Sequence, residues 1–206
     1  MSGADRLRRL PWTLRYRAGG RLSSELRRLV VVATHRHCRV EFRGPVHLGP
    51  GFSLWIPGKG TLEVGSGVDF RRDFYCEISG EGKVTIGDGS IFTGGAMIQC
   101  STEIAIGRRC VFSQSVLIAD GRHRSGSTEL HILDQGYDYS PVHIGDGATV
   151  MAKCTVTADI GDGAFVGANS AVVRPVPPLC LAVGAPAVPV RFFADAPAEP
   201  AATARA

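Results

Sequence analysis

A short polar segment near the middle of the chain holds the residues best suited to acid–base chemistry. It runs from Asp120 to Arg124 and contains His123, and Asp134 follows in the same polar stretch. Imidazole has an ordinary pKa of about 6.5, so His123 could accept a proton near neutral pH and return it. A carboxylate on its second ring nitrogen would fix the tautomer, and Asp120 and Asp134 are the nearest candidates along the sequence. By residue type alone, a histidine between two arginines can equally be a solvated loop residue.

The elements that would position this segment are predicted by an internal repeat. An aliphatic residue followed by glycine recurs along the chain, and large apolar residues follow most of these pairs at steps of six. The series are Val64, Phe70, Cys76; Ile86, Phe92, Ile98; Ile106, Phe112, Ile118; Ile144, Val150, Val156; and Ile160, Val166, Val172. Small or short side chains recur four residues after many of these, at Val68, Ser90, Ala96, Cys110, Val116, Ala148, Cys154, Ala164 and Ser170.

This rhythm favours a coil with three flat sides, each of them a short extended strand. Side chains alternate in and out along a strand, so each side directs one large and one small residue inward. Gly-Asp-Gly at 87–89, 145–147 and 161–163 supplies residues that accept a positive φ at the corners. One coil cannot bury its own inner face, whereas stacked coils can. The sequence therefore predicts an all-β solenoid over residues 44–193.

Two other folds fit the repeat less well. An amphipathic helix also places apolar residues at steps of four, but a glycine after nearly every aliphatic residue would cost a helix about 1 kcal/mol each time. The β-branched content also favours strands. A Greek-key β-sandwich agrees with that content, but it would not keep a six-residue phase.

One long excursion interrupts the repeat. Successive aliphatic–glycine pairs are 16 to 22 residues apart, except that 38 residues separate Ile106 from Ile144. About twenty residues, over roughly 120–142, therefore leave the coil and return to it. Such an excursion from a regular scaffold is usually functional, and this one contains His123.

The repeat resembles that of the hexapeptide-repeat acyltransferases, whose coils wind as a left-handed parallel β-helix. The strongest match is Ile144–Arg191, where two Ile-Gly-Asp-Gly motifs lead to Pro177-Pro178 and then to Val183-Gly184-Ala185-Pro186-Ala187. That ending is similar to the maltose, galactoside and polysaccharide O-acetyltransferases. The handedness is what the resemblance implies, because spacing alone does not give it.

The resemblance implies transfer of an acyl group, most simply acetyl, from coenzyme A to a hydroxyl of a sugar or glycoconjugate. His123 would be the general base, because the family places its catalytic histidine at this point in an Asp-His-x-His element. Gly121 replaces the first of those histidines here, which affects a contact with the acceptor. No metal is implied. Acylation of an amino sugar on nitrogen stays open, because the same base serves either acceptor.

In the family, coenzyme A runs along the coils between two subunits of a homotrimer. At the matching motif positions, Ala152 and Ala168 would place small side chains beside the pantetheine. Arg174 and Arg191 would place cations beside the phosphates. Thr149 and Met151 stand where the family often has Trp and Gly. These two changes alter the cofactor wall, so an acyl group longer than acetyl also stays open.

The two ends of the chain differ from the body. Residues 1–43 hold eleven arginines and three acids, whereas the remainder carries a net charge of −4, so no basic groove for nucleic acid is expected in the body. Apolar residues over 5–33 follow helical spacing, divided at Gly19-Gly20. Such helices could cap the open first coil or contact an anionic membrane. The Ala/Pro-rich tail, 194–206, is predicted to be disordered.

Two rival functions share the predicted fold. A γ-type carbonic anhydrase would need a His-x4-His pair to hold zinc, and the six histidines lack that spacing. A non-catalytic scaffold would leave the excursion with His123 unexplained. No CxxC pair occurs, and three of the six cysteines fall in inward slots. This pattern suggests reduced thiols and a cytoplasmic protein, which could also be membrane-peripheral through its basic N-terminal segment. No signal peptide is expected, since the first residues are polar and arginine-rich.

Overall fold

The computed structural model describes residues 19–193. It contains one α-helix, α1 (Gly19–Thr34), one 3₁₀ helix (Ile132–Asp134) and 21 strands. The helical prediction for residues 5–18 and the prediction of a disordered tail at 194–206 lie outside the described residues. Within the described part, no helix is both long and apolar enough to cross a bilayer.

The strands form three sheets that wind around a common axis, with successive strands of a coil lying in successive sheets. Sheet A contains β1 (Arg39–Phe42), β4 (Thr61–Val64), β7 (Lys83–Ile86), β10 (Glu103–Ile106) and β15 (Val142–Ile144). Sheet B contains β2 (His47–Leu48), β5 (Asp69–Phe70), β8 (Ile91–Phe92), β11 (Val111–Phe112), β16 (Thr149–Val150), β18 (Phe165–Val166), β20 (Cys180–Val183) and β21 (Val188–Phe192). Sheet C contains β3 (Ser53–Trp55), β6 (Tyr75–Ile78), β9 (Met97–Cys100), β12 (Leu117–Ala119), β17 (Thr155–Val156) and β19 (Ala171–Val172). The remaining two strands, β13 (Gly121–His123) and β14 (Tyr137–Tyr139), form a separate hairpin.

Parallel register between coils confirms the predicted solenoid. In sheet B, Phe70 pairs with Phe92 and Phe92 with Phe112, so residues in one phase of the repeat stack along the axis. Their rings lie parallel, with centroids 5.2 and 4.7 Å apart. All fifteen large residues of the six-step series and all nine small ones are buried. Burial of this continuous column, rather than the stability of any single coil, stabilises the fold.

The coil narrows below the excursion, as the short spacing before Ile160 predicts. At that level sheet A is reduced to single parallel bridges, from Ile144 to Ile160 and from Ile160 to Val176. The last strand, β21, turns back and pairs antiparallel with β20, which closes sheet B.

Helix α1 covers the open edge of the first coil. The hydroxyl of Ser24 is buried and accepts a hydrogen bond from the Leu48 amide at 2.8 Å. Arg27 Nε donates to the Leu48 carbonyl, also at 2.8 Å. Beyond the helix, His37 contacts the Ile56 carbonyl at 2.6 Å. Backbone groups that would otherwise be unpaired at the edge are thus satisfied by side chains.

Candidate active site

The excursion is an antiparallel hairpin that leaves the solenoid where sheet C turns towards sheet A. The chain departs after Ala119, and β13 pairs with β14 so that His123 faces Tyr137 in register. Residues 124–136 form the end of the hairpin and contain the 3₁₀ helix. The chain rejoins sheet A at Val142.

His123 is exposed on this hairpin, and an aromatic ring packs against it. Its ring centroid lies 4.1 Å from that of Tyr137, and Tyr137 stacks in turn on Tyr139 at 5.8 Å. Aromatic packing restricts the orientation of the imidazole and leaves its nitrogens free to meet a ligand. Across residues 19–193, no side chain forms a hydrogen bond with this ring in the single protomer.

The structure separates the two carboxylates from His123. Asp120 is buried, and its carboxylate accepts hydrogen bonds from the amides of Ser101 and Thr102 at 2.8 and 2.6 Å and from the Thr102 hydroxyl at 2.8 Å. These bonds tie the base of the hairpin to the preceding coil. Asp134 ends the 3₁₀ helix and is exposed. Among the described residues, neither carboxylate forms a hydrogen bond with the imidazole, and the Asp120 carboxylate binds the preceding coil instead.

Arginine–carboxylate pairing holds the two strands of the hairpin together. Arg124 Nε donates to Asp138 at 2.7 Å, and Arg122 lies 3.5 Å from the other oxygen of the same carboxylate. The hydrogen bond from Arg124 and its positive charge lower the pKa of Asp138 below its ordinary value. The carboxylate is therefore charged at neutral pH and bridges the two arginines.

A groove of about 580 Å³ lies under the hairpin, at the same corner of the solenoid. Its walls come from the hairpin base, including Arg122 and Tyr139, and from the coils below, including Thr157, Ala158 and Val173. Its lining includes Gly121 and Arg122, which directly precede His123 in the same strand.

The predicted cofactor residues Ala152 and Ala168 lie together at a different corner, between sheets B and C. The Asn169 amide donates to the Ala152 carbonyl at 3.0 Å, which stacks the two turns directly. Lys153 and Asn169 adopt positive φ, as the corner requires. The two alanines present a small-residue surface along the axis, which suits a narrow chain lying close to the backbone.

The two predicted phosphate-binding arginines lie apart from each other. Arg191 is on β21, at the lower end of sheet B, with its guanidinium 5.6 Å from the Phe193 ring. Arg174 follows β19 and is exposed at the corner between sheets C and A, beside the hairpin groove. Within one protomer, Arg174 thus shares a corner with His123, whereas Ala152 and Ala168 share another.

The cysteines are all free, and five of the six are buried. Burial raises the pKa of the Cys76 thiol, and burial together with the neighbouring Asp120 carboxylate raises the pKa of Cys100 to about 12. Neutral buried thiols are poor nucleophiles. Within the part of the chain that the structure describes, no three His, Cys, Asp or Glu side chains converge as metal ligands.

Sequence reasoning missed two features of the site. The hydrogen bonds of Asp120 depend on Ser101 and Thr102, which precede it by a full coil. A basic cleft beside α1, which contains Arg71 and Arg72, was also not singled out. The sequence signal for this cleft was the pair of adjacent arginines directly after the inward Phe70. Most other coils have small or uncharged polar residues at the same place.

Comparison with known proteins finds acetyltransferases that are similar to this chain. No protein-family profile matches it. A probable acetyltransferase of Mycobacterium tuberculosis is 32% identical over 152 residues, which cover 72% of this chain and 50% of that protein. The chain spans about half the length of the curated relatives it matches.

Solved structures share the fold. A hexapeptide-repeat acetyltransferase of Vibrio cholerae, in complex with acetyl coenzyme A, has a TM-score of 0.58 at 20% identity, covering 83% of this chain and 79% of that one. A galactoside acetyltransferase in complex with coenzyme A has a TM-score of 0.51 at 19% identity, covering 82% and 70%. The solenoid is thus the left-handed parallel β-helix that the repeat resembles. In its repeat, its fold and these relatives, the chain is similar to the hexapeptide-repeat acetyltransferases.

Proposed function

We propose that this protein transfers an acyl group, acetyl in the simplest case, from acyl-coenzyme A to a hydroxyl of a sugar or glycoconjugate. The observation that carries the proposal is the exposed imidazole of His123, held on a hairpin that projects from a coenzyme-A-binding type of solenoid. Acyl-coenzyme A supplies the activated acyl group as a thioester.

His123 would act as the general base. A sugar hydroxyl is a poor nucleophile until its proton is removed, and a neutral ring nitrogen of His123 can accept that proton as the oxygen attacks the acyl carbon. As the carbon–sulfur bond breaks, the same nitrogen can return the proton to the sulfur. Tyr137 keeps the ring in place, and Arg124, Asp138 and Asp120 keep the hairpin in place.

The separation of the candidate residues supports a homotrimer with shared sites. Ala152 and Ala168 lie at one end of sheet C and the His123 hairpin at the other end. At about 3.3 Å per residue, a side of five or six residues separates them by roughly 15–20 Å. In a closed threefold ring, the corner between sheets C and A of one subunit would lie against the corner between sheets B and C of the next subunit. Arg174 would then reach the cofactor from the neighbour, and Arg191 from the same protomer.

Subunit mixing tests this arrangement. In H123Q the base is lost, and in A168W a bulky ring covers the cofactor corner, so each variant alone should be inactive. In random equimolar mixtures, one interface in four pairs a subunit that retains His123 with a neighbour that retains Ala168. Mixed trimers should therefore recover about a quarter of wild-type activity. Failure of mixed oligomers to recover activity would contradict shared sites, and light scattering on each variant controls for assembly.

Helix α1 provides a surface that supports peripheral membrane contact. Leu22, Leu26, Leu29 and Val30 are each more than half exposed on this arginine-rich helix. A basic amphipathic helix can insert its apolar face at an anionic bilayer surface, which would suit a lipid-linked glycan acceptor on the cytoplasmic side. Full-length protein should sediment with vesicles containing phosphatidylserine more than with phosphatidylcholine vesicles, and L26E should abolish the difference.

The activity itself is tested by thiol release. Purified protein is incubated with acetyl- or succinyl-coenzyme A and a panel of sugars and amino sugars, and free thiol is measured. Acceptor-dependent release that disappears in H123Q would support the proposal. No release above the acceptor-free rate with any donor and acceptor would contradict it. The donor comparison reports on acyl length, which Thr149 and Met151 leave open.

A further inference from the structure

A second cleft lies higher on the same corner that carries Ala152 and Ala168. It has a volume of about 1010 Å³ and extends between the first turn of α1 and the upper coils of sheet B. Amide-to-carbonyl hydrogen bonds connect it to the alanines coil by coil, from Gly95 to Arg72, Ser115 to Gly94, Lys153 to Gln114, and Asn169 to Ala152. A ligand lying along this column would thus enter the cleft.

The walls of the cleft are predominantly basic. Among the described residues, its charged lining consists of Arg21, Arg71 and Arg72 with the carboxylate of Asp69, and His47 lies beside them. The ion pairs are long, at 3.4 Å from Arg71 to Asp69 and 3.5 Å from Arg72 to Asp73. A guanidinium carries five N–H donors, so most donors of Arg71 and Arg72 remain available to a ligand.

We propose that this cleft binds the acyl acceptor, and that the acceptor carries an anionic group, phosphate or carboxylate, beside its hydroxyls. This inference rests on the proposed function and deepens it by naming the acceptor class. Arg71 and Arg72 bind the anionic group through charge-assisted hydrogen bonds. The cofactor phosphates belong at the opposite end of the column, towards Arg191.

Three acceptors that differ only at one carbon test the inference. Glucose, glucuronate and glucose 6-phosphate present a hydroxymethyl, a carboxylate or a phosphate on the same ring. With full-length protein, kcat/KM should be about tenfold or more higher for an anionic acceptor than for glucose. The two anionic arms distinguish carboxylate from phosphate as the preferred group.

The double variant R71Q/R72Q should remove this preference. We expect the acceptor KM for the anionic sugar to rise about tenfold or more, with little change for glucose or in the KM of acyl-coenzyme A. The matched control, K59Q/K83Q, removes the same charge from exposed positions outside the cleft and should keep the preference. Equal losses for all three sugars, or a rise in the KM of acyl-coenzyme A alone, would overturn the inference.

Direct binding separates this inference from the proposed function. Calorimetric titration of glucuronate and glucose 6-phosphate should show binding to the wild type and to K59Q/K83Q, and loss of binding in R71Q/R72Q. Such binding without any thiol release would support the cleft and contradict the proposed function. Thiol release with equal affinity for glucose and its anionic analogues would support the proposed function and overturn the acceptor class.

Discussion

The ring of His123 packs on the ring of Tyr137, its register partner across the hairpin, with 4.1 Å between centroids. Among residues 19–193, the side-chain hydrogen bonds that tie the hairpin to the solenoid lie at its base, where Asp120 binds the preceding coil. The position of the imidazole therefore depends on local contacts within the hairpin rather than on the core.

Removing the aromatic ring at position 137 should impair catalysis without unfolding the protein. We expect Y137A to lower kcat about tenfold or more, because small displacements of a catalytic group cost large factors in rate. Y137F keeps the ring and should stay within about twofold of the wild type. Steady-state kinetics and thermal melting of both variants check this, and equal losses in Y137A and Y137F would show that the hydroxyl, rather than the packing, matters.

The close stacking of coils should make Gly145 intolerant of a side chain. A Cβ there would lie 2.5 Å from the Asp162 amide nitrogen and also overlap the Asp162 carboxylate. We expect G145A to lower the free energy of unfolding by about 1–3 kcal/mol or more. Urea unfolding measures the change. Gly126, in the hairpin loop, has no atom within 4 Å of the corresponding position, so G126A is the matched control and should be close to neutral.

The capping of the first coil by α1 can be tested at Ser24. In S24A the Leu48 amide loses its acceptor in a buried setting, which should cost about 1–3 kcal/mol of unfolding free energy. Exposed Ser125 supplies the control substitution, S125A, which should have little effect. Wild-type stability in S24A would mean that α1 does not protect this edge in solution.

Buried thiols should make the protein less stable in alkali. The pKa of Cys100 is raised to about 12 by burial and by Asp120, whereas in the unfolded chain a cysteine has a pKa of about 8.5. Between these values the unfolded chain loses the proton that the folded chain retains, so stability falls as pH rises. We expect Cys100 to account for about 1–2 kcal/mol of the loss between pH 8 and 10. Urea unfolding at both pH values should show a smaller loss in C100A, and an unchanged loss would contradict this.

Much of the fold could be predicted from the sequence because each side of a coil contributes one large buried residue at a fixed step. Phe70, Phe92 and Phe112 occupy that step and stack in the structure. The excursion was also visible, since it breaks the spacing between Ile106 and Ile144. These features depend on local periodicity, which a single sequence displays directly.

The contacts within the site could not be predicted in the same way, because they join distant coils. Asp120 is next to the catalytic candidate in sequence, yet its carboxylate binds Thr102, a coil earlier. Arg21 and Arg71 are fifty residues apart and meet only because α1 folds over sheet B. Proximity along the chain suggested Asp120 as a partner of His123 and gave no sign of its hydrogen bonds to the preceding coil. Distance along the chain concealed the basic cleft.

The most direct measurement of the central claim is the turnover number of H123Q with the best acceptor found for the wild type. Loss of a general base predicts a fall in kcat of about 10²- to 10⁴-fold, with unchanged melting temperature and oligomeric state. The matched variant H143Q removes another exposed histidine and should keep wild-type kcat. An H123Q protein that retains a tenth or more of the wild-type kcat would contradict the assignment of His123 as the base.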